Sequence, residues 1–264
     1  MEYGIPTLLS LPSPEAHVAL CRELGLNYVE LNMSFPTYGL KSLQGVDLLG
    51  LSQAYGVGFT LHLDEGLNIT EFHDGVREAY VQLVLDTIAL AKASHIKKLN
   101  MHLHRGVWCT LPQEKVYLNK VYRERYLAHL KDFRTRCEVA IGGADVTICI
   151  ENTSGYLPHE WEGIDLLLES HCFALTLDTG HAMAHPEDMR EILLRKDRLA
   201  HMHLHDARGT CDHLPLGAGD GDIPYLISLA KEKGLSPLLE VKTEEALRET
   251  VAYLKNKGFF KAEA

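Results

Sequence analysis

One short stretch, His201-Met202-His203-Leu204-His205-Asp206, sets three histidines at alternate positions of an otherwise apolar run, and Asp212-His213 follows shortly after. Side chains alternate between the two faces of a strand, so these three imidazoles share one face. Imidazole and carboxylate together are donors for a divalent ion, with zinc, manganese, cobalt and magnesium as the candidates. Three residues in a row along one strand cannot all hold one ion. His203 reads as the ligand, His201 as a residue packed deeper inside the fold, and His205 as a rim residue.

One wall needs others to face it. Further ionisable groups sit at the ends of short apolar runs: Glu30, His62, His102 with His104, Glu151, Asp178 with His181 three residues on, and Glu240. Any one of these has an ordinary explanation. A lone histidine is usually a hydrogen-bonded structural residue, and Asp178 could cap a turn. The series is harder to dismiss. Carboxylates following runs such as Val146-Thr147-Ile148-Cys149-Ile150 are costly to bury unpaired, and a shared cation removes that cost.

The elements that position these groups alternate along the chain. Strands are expected at Tyr3–Leu9, Tyr28–Met33, Gly58–Asp64, Lys98–His104, Val146–Glu151, Phe173–Asp178, Leu199–Asp206 and Leu238–Val241. Between them lie helical patterns. One opens at Ser13-Pro14-Glu15, with an N-cap serine, a first-turn proline and a first-turn acid. Others cover about Val46–Tyr55, Glu71–Ser94, Gln113–Ile141 and Glu160–Ser170, a start near Pro186, and Pro224–Gly234. A last helix places Leu247, Val251 and Leu254 on one stripe, with Gly258 as its C-cap. Eight strands alternating with eight helices predict a single (β/α)₈ TIM barrel spanning 1–264, a fold of typically about 250 residues. Chemistry in such barrels sits at the C-terminal ends of the strands. Arg105–Val116 reads as a long loop over that mouth, and Gly217, Gly219 and Gly221 as shaping the loop after the seventh strand.

Composition narrows the function. With 46% hydrophobic and 23% charged residues the chain is of ordinary globular make-up. A net charge of −10 argues against non-specific nucleic-acid binding, which needs clustered Lys and Arg. Six scattered cysteines without a CxxC pair fit reduced thiols. No signal peptide or membrane span is visible, so a cytoplasmic location is expected. The sequence does not specify an oligomeric state, and a homo-oligomer is compatible with it.

The motifs His62-Leu63-Asp64-Glu65-Gly66-Leu67-Asn68, Ile150-Glu151-Asn152-Thr153-Ser154-Gly155, Leu177-Asp178-Thr179-Gly180-His181-Ala182, His203-Leu204-His205-Asp206-Ala207, His213-Leu214-Pro215-Leu216-Gly217-Ala218-Gly219 and Leu238-Leu239-Glu240 together resemble the xylose-isomerase-like barrel superfamily. That group contains sugar-phosphate isomerases and epimerases, ketose epimerases and nucleases of the endonuclease IV type. The resemblance implies one divalent ion on Glu151, Asp178, His203 and Glu240. From the nuclease branch it implies second-site ligands at His62, His102, His181 and His213. That branch also has an Asp two residues before its last His, where this chain has Cys211. Either Cys211 or the displaced Asp212 could serve. His104 is an alternative to His102, and the spacing favours His102.

The activity implied is a metal-dependent isomerase or epimerase of a small sugar or sugar phosphate. Glu151 and Glu240 would exchange a proton with carbon by way of a metal-stabilised enediolate. His62, His181, Arg105, Arg208 and Lys242 are the candidate substrate-binding residues, the three cations for a phosphate or carboxylate. Equally, those cations could be surface charges flanking a polar cleft. The alternative activity is a zinc-dependent phosphodiesterase of the endonuclease IV type, and a third reading is a metal-binding barrel without catalysis.

Overall fold

In the computed structural model, which describes residues 1–153 and 155–260, eight parallel strands close on themselves. Strands among the described residues are β1 (Gly4–Ile5), β2 (Tyr28–Asn32), β3 (Gly58–His62), β4 (Lys98–His102), β5 (Trp108–Thr110), β6 (Lys115–Tyr117), β7 (Thr147–Glu151), β8 (Phe173–Asp178), β9 (Leu199–Leu204), β10 (Asp206–Arg208), β11 (Cys211–Leu214) and β12 (Leu238–Leu239). The barrel runs β1-β2-β3-β4-β7-β8-β9-β12 and returns to β1, while β5–β6 and β10–β11 form separate antiparallel hairpins. The expected TIM barrel is therefore the fold. Ser154, within the Glu151–Gly155 motif, and residues 261–264 lie outside the described residues.

The barrel strands are apolar runs because helices cover their outer faces and side chains fill the interior. Helix boundaries follow local chemistry. Ser13 accepts the Ala16 N–H at the start of Pro14–Leu24, and Gly25 ends that helix at φ 76°. Thr243 caps Glu244–Asn256 in the same way, and that helix buries Leu247, Val251 and Leu254 as its stripe predicts. Gly258 lies one residue past the cap position, at φ 72°. Between barrel and helices lies a continuous apolar layer that includes Leu130, Phe133, Ile164 and Phe173.

Several expected elements change. The first and last barrel strands are only two residues each, because the chain leaves the sheet at Pro6 and at Glu240. The expected helix from Gln113 begins later: Lys115–Tyr117 pairs with Trp108–Thr110, so the Arg105–Val116 loop carries a hairpin. A short helix, Leu118–Val121, then leads into Arg123–Ile141. The strand expected to reach Asp206 stops at Leu204, and the chain folds back as β10–β11. Asp178 accepts the His181 N–H at 2.7 Å and so caps a short helix, Thr179–Ala184, that places His181 over the mouth. Among the described residues no helix is long and apolar enough to cross a membrane.

Candidate active site

Barrel register brings the ionisable strand ends together. His102 pairs with Glu151 across β4 and β7, and Asp178 with His203 across β8 and β9. Glu151 is the hub. Its Oε2 lies 3.3 Å from His62 Nε2, 3.4 Å from His102 Nε2 and 3.4 Å from His203 Nδ1. Asn100 Nδ2 also donates to it. His203 Nδ1 lies 2.8 Å from Glu240 Oε2 and 3.9 Å from Asp178 Oδ2. One donor atom from each of Glu151, Asp178, His203 and Glu240 falls within 4.8 Å of the others.

The contacts of His203 with these carboxylates are close but badly aligned as hydrogen bonds. Both ring nitrogens of His203 and Glu240 Oε2 are buried without a properly directed partner. Buried polar groups normally find partners; His203 Nδ1 and Glu240 Oε2 meet beside Glu151 and Asp178, which fits a cation at that point, while His203 Nε2 faces Glu30. Donors on one ion at about 2.0–2.2 Å can be no more than roughly 4.4 Å apart, and the three distances from His203 Nδ1 lie within that limit. The donor chemistry, three carboxylates and one imidazole, fits a divalent ion.

Protonation tells the same story. Burial alone would raise the Glu151 and Glu240 carboxyls, but the His203 imidazole overrides it and holds both well below the usual carboxylate range. Burial would lower His203, yet Glu151, Glu240 and Glu30 push it well above 6.5. His62 is pushed up to about 9 against burial, by Glu151 and then Glu30. Carboxylates held ionised around an imidazole that is pushed toward its charged form describe a site that favours positive charge at its centre.

Of four further groups among the described residues, two hold the other expected ligands. His62, His102 and Glu151 converge, as do His181, Asp212 and His213. In the second of these His213 Nδ1 lies 2.8 Å from Asp212 Oδ1, and His181 Nε2 lies 3.8 Å from Asp212 Oδ2. Asp212 thus stands where the sequence left a choice, while Cys211 is exposed and outside the group. His102 is likewise the strand-four residue that meets Glu151, while the His104 ring accepts the Gly106 N–H.

Two residues have more to do than the sequence suggested. His205 is not at the rim. It is fully buried, with Nε2 3.0 Å from both Asp178 oxygens, because the chain folds back over it. Its Nδ1 accepts the His213 N–H at 2.8 Å, and the two rings stack at 4.4 Å. That contact holds His213 at φ 53°, a backbone state rare outside glycine. Glu30, which reading single strands left without a role, lies 3.0 Å from both His201 Nε2 and His203 Nε2 and accepts from Thr60 Oγ1 at 2.8 Å. It braces the face of His203 turned away from the other carboxylates. The signal for it was a carboxylate in the middle of an apolar strand.

Above these groups opens a cavity of about 350 Å³. His62, His102, Glu151, His181, His213 and Glu240 line it, as do Asn32, Phe35, Glu65 and Lys242. Lys242 Nζ sits 2.8 Å from Glu240 Oε1. The other two expected cations are not brought to this cavity. Arg105 pairs with Glu160 and donates to the Gly155 carbonyl, and Arg208 is exposed beside Asp220 and the Ala218 carbonyl.

A family model described as the xylose isomerase-like TIM barrel matches residues 18–257. The chain belongs to that family. Two uncharacterized proteins of Methanocaldococcus jannaschii are relatives of this barrel. One is 30% identical over 170 residues, 62% of this chain and 58% of its own length. The other is 26% identical over 225 residues, 83% of each. Among solved structures, a D-tagatose 3-epimerase-like protein superposes with a TM-score of 0.75 at 19% identity, covering 98% of this chain and 100% of that one. The IolI protein with zinc bound gives 0.75 at 15% identity over all of both chains. The 3-keto-D-glucoside 4-epimerase of E. coli gives 0.75 at 13%, covering 97% and 99%. At these identities the likeness is one of fold.

Proposed function

We propose that this member of the family is a metal-dependent isomerase or epimerase of a small sugar. The observation that carries the reading is the pair Glu151 and Glu240, converging on His203 at the floor of a cavity of about 350 Å³. That volume is near the small end of the range for small-molecule sites. Sugar epimerases among the structural neighbours support the same class. Glu151, Asp178, His203 and Glu240 would hold the ion. When bound, it supplies Lewis acidity, polarising a carbonyl and making the adjacent C–H more acidic.

The chain's own groups do the rest. One of the two carboxylates, Glu151 or Glu240, takes the proton from carbon and the other returns it. His62 and His181 line the cavity and are the candidate contacts for substrate hydroxyls. Lys242 is the single Lys or Arg lining this cavity among the described residues, and it already pairs with Glu240. With Arg105 and Arg208 both ion-paired elsewhere, the cavity is better suited to a neutral sugar than to a phosphate ester.

A second reading, phosphodiester hydrolysis, is favoured by one observation: five donor groups cluster among the described residues, and Glu151 belongs to two of them. The two readings separate on substrate. Protein purified without added metal is analysed for bound ions, stripped with EDTA, reloaded with Mn²⁺ or Zn²⁺, and offered D-tagatose and abasic DNA. We expect ketose conversion that is lost on stripping and restored on reloading. Cleavage of abasic DNA by protein carrying three zinc ions, with no ketose conversion, would establish the second reading instead.

A further inference from the structure

A smaller cavity of about 200 Å³ opens beside the mouth cavity and shares Glu65 and His102 with it. Its other walls include His104, Trp108 and Thr153. Trp108 stands at the start of β5, the hairpin strand after the fourth barrel strand, and leaves 47% of its surface exposed. Lys115 Nζ sits over its ring at 5.4 Å, and Tyr117 packs beside it at 6.2 Å, so the indole is held in place. The His104 ring takes the Gly106 N–H on Nδ1, which leaves Nε2 as the protonated nitrogen of the neutral ring. Glu65 Oε1 accepts from Asn32 Nδ2 at 2.9 Å, so this carboxylate is anchored on the partition between the two spaces.

This annex therefore offers an aromatic ring, a carboxylate, a neutral imidazole and a threonine hydroxyl. That mixture suits a neutral ring with apolar C–H faces and hydroxyl edges. A single sugar held over the Glu151–Glu240 pair would leave Trp108, which does not line the mouth cavity, untouched. The annex adjoins the mouth cavity across Glu65 and His102, and its volume is more than half that of the mouth cavity.

We propose that the natural substrate has two units: a reacting sugar in the mouth cavity, and a second sugar ring, glycosidically attached, lying in the annex against Trp108. The proposal rests on the isomerase or epimerase reading of the same site. Arg105 and Glu160 form the back wall as an ion pair and supply shape.

The test compares D-fructose with isomaltulose, a glucosyl-fructose whose ketose end is free, on Mn²⁺- or Zn²⁺-loaded protein. Both turnover and calorimetric binding are measured. The expected result is a kcat/KM and an affinity about tenfold higher for isomaltulose. Trp108→Ala should lower both quantities for isomaltulose at least about fivefold more than for D-fructose, and Trp108→Phe should recover most of the difference. Melting temperatures of both variants control for a general loss of fold. Equal handling of the two ketoses, or a Trp108→Ala effect that is the same for both, overturns the annex. If neither ketose is turned over, the isomerase reading falls by itself. Calorimetry then still decides this proposal: tighter isomaltulose binding that Trp108→Ala removes upholds it, and absent or Trp108-independent binding overturns it.

Discussion

Phe173 and Glu151 lie on adjacent strands and are both fully buried, yet their surroundings have little in common. Phe173 packs against Phe133 with ring centroids 5.8 Å apart, inside the apolar layer between barrel and helices. Glu151 is surrounded by His62, His102, His203 and Asn100 at the barrel mouth. The outer layer gains from being removed from water. The mouth gives up that gain to bring charged groups together, and only protons or a cation repay the desolvation. In this barrel stability and chemistry are placed a few ångströms apart, in separate layers, and each can be damaged without the other.

The strongest way to break that separation is a pair of substitutions. Phe173→Ala removes a large buried ring and should cost about 3–5 kcal/mol in urea unfolding, while the protein that remains folded keeps its metal affinity. Glu151→Gln keeps the shape and removes the charge. It should reduce turnover at least about a hundredfold and weaken metal binding. After EDTA treatment its melting temperature should fall by less than that of Phe173→Ala. If chelator-treated Glu151→Gln were the less stable of the two, the mouth would be part of the folding core and the division drawn above would be wrong.

The sequence shows the outer layer and the strand ends for the same reason: apolar runs alternate, and an ionisable residue ending a run stands out. Glu151, Asp178, His203 and Glu240 were legible on those terms. Which inward faces share a level of the barrel was not. Glu30 and His203 approach to 3.0 Å although β1 and β12 separate their strands around the barrel. No period within one segment encodes that contact. The β5–β6 hairpin was hidden because Lys115-Val116-Tyr117 runs directly into a helix and shares its apolar spacing. His205 was misplaced because alternation gives the face of a side chain but not what covers it. Asp212 rather than Cys211 meets His181, and the β10–β11 hairpin that carries both has a register shift between Asp206 and Arg208. A shift of that kind has no signature in composition.

Asp206 sharpens the comparison because it is a mouth residue with a purely structural task. Its fully buried carboxylate accepts the backbone N–H groups of Ala207, Gly217, Gly219 and Gly221, each at 2.9 Å. A Cβ on Gly219 would sit 2.3 Å from the Ala207 carbonyl oxygen, so only glycine lets the loop wrap that closely. Asp206→Asn turns one acceptor oxygen into a donor facing two N–H groups. The expected cost is about 1–3 kcal/mol, less than for Phe173→Ala. Hydrogen exchange should quicken at Gly217, Gly219 and Gly221. Unchanged exchange there would mean that the loop is held by its apolar contacts instead.

The smallest expected effect contrasts two histidines. His203, at the mouth, is pushed toward the charged state by three carboxylates. His17 lies outside the mouth cavity and fully buried. Its Nδ1 sits 2.8 Å from the Ser13 carbonyl oxygen and its Nε2 accepts the Leu8 N–H at 2.9 Å, so the ring is neutral with its proton on Nδ1. A proton added at Nε2 would break the Leu8 bond. Burial lowers this imidazole below 6.5, against smaller opposing pulls from the backbone contacts with Ser13 and Leu8 and, last, from Glu244. The unfolded chain takes up its proton near pH 6.5, and the folded chain resists until lower pH. Stability from neutral His17 is therefore complete above pH 6.5 and is lost as pH falls from there through the folded value. Urea midpoints for wild type and His17→Gln between pH 7.5 and pH 5 test this at constant metal content. Mouth imidazoles titrate in both proteins and cancel in the difference. The wild-type midpoint should drop further on acidification than that of the variant, and parallel curves would show that His17 carries its charge in the fold after all.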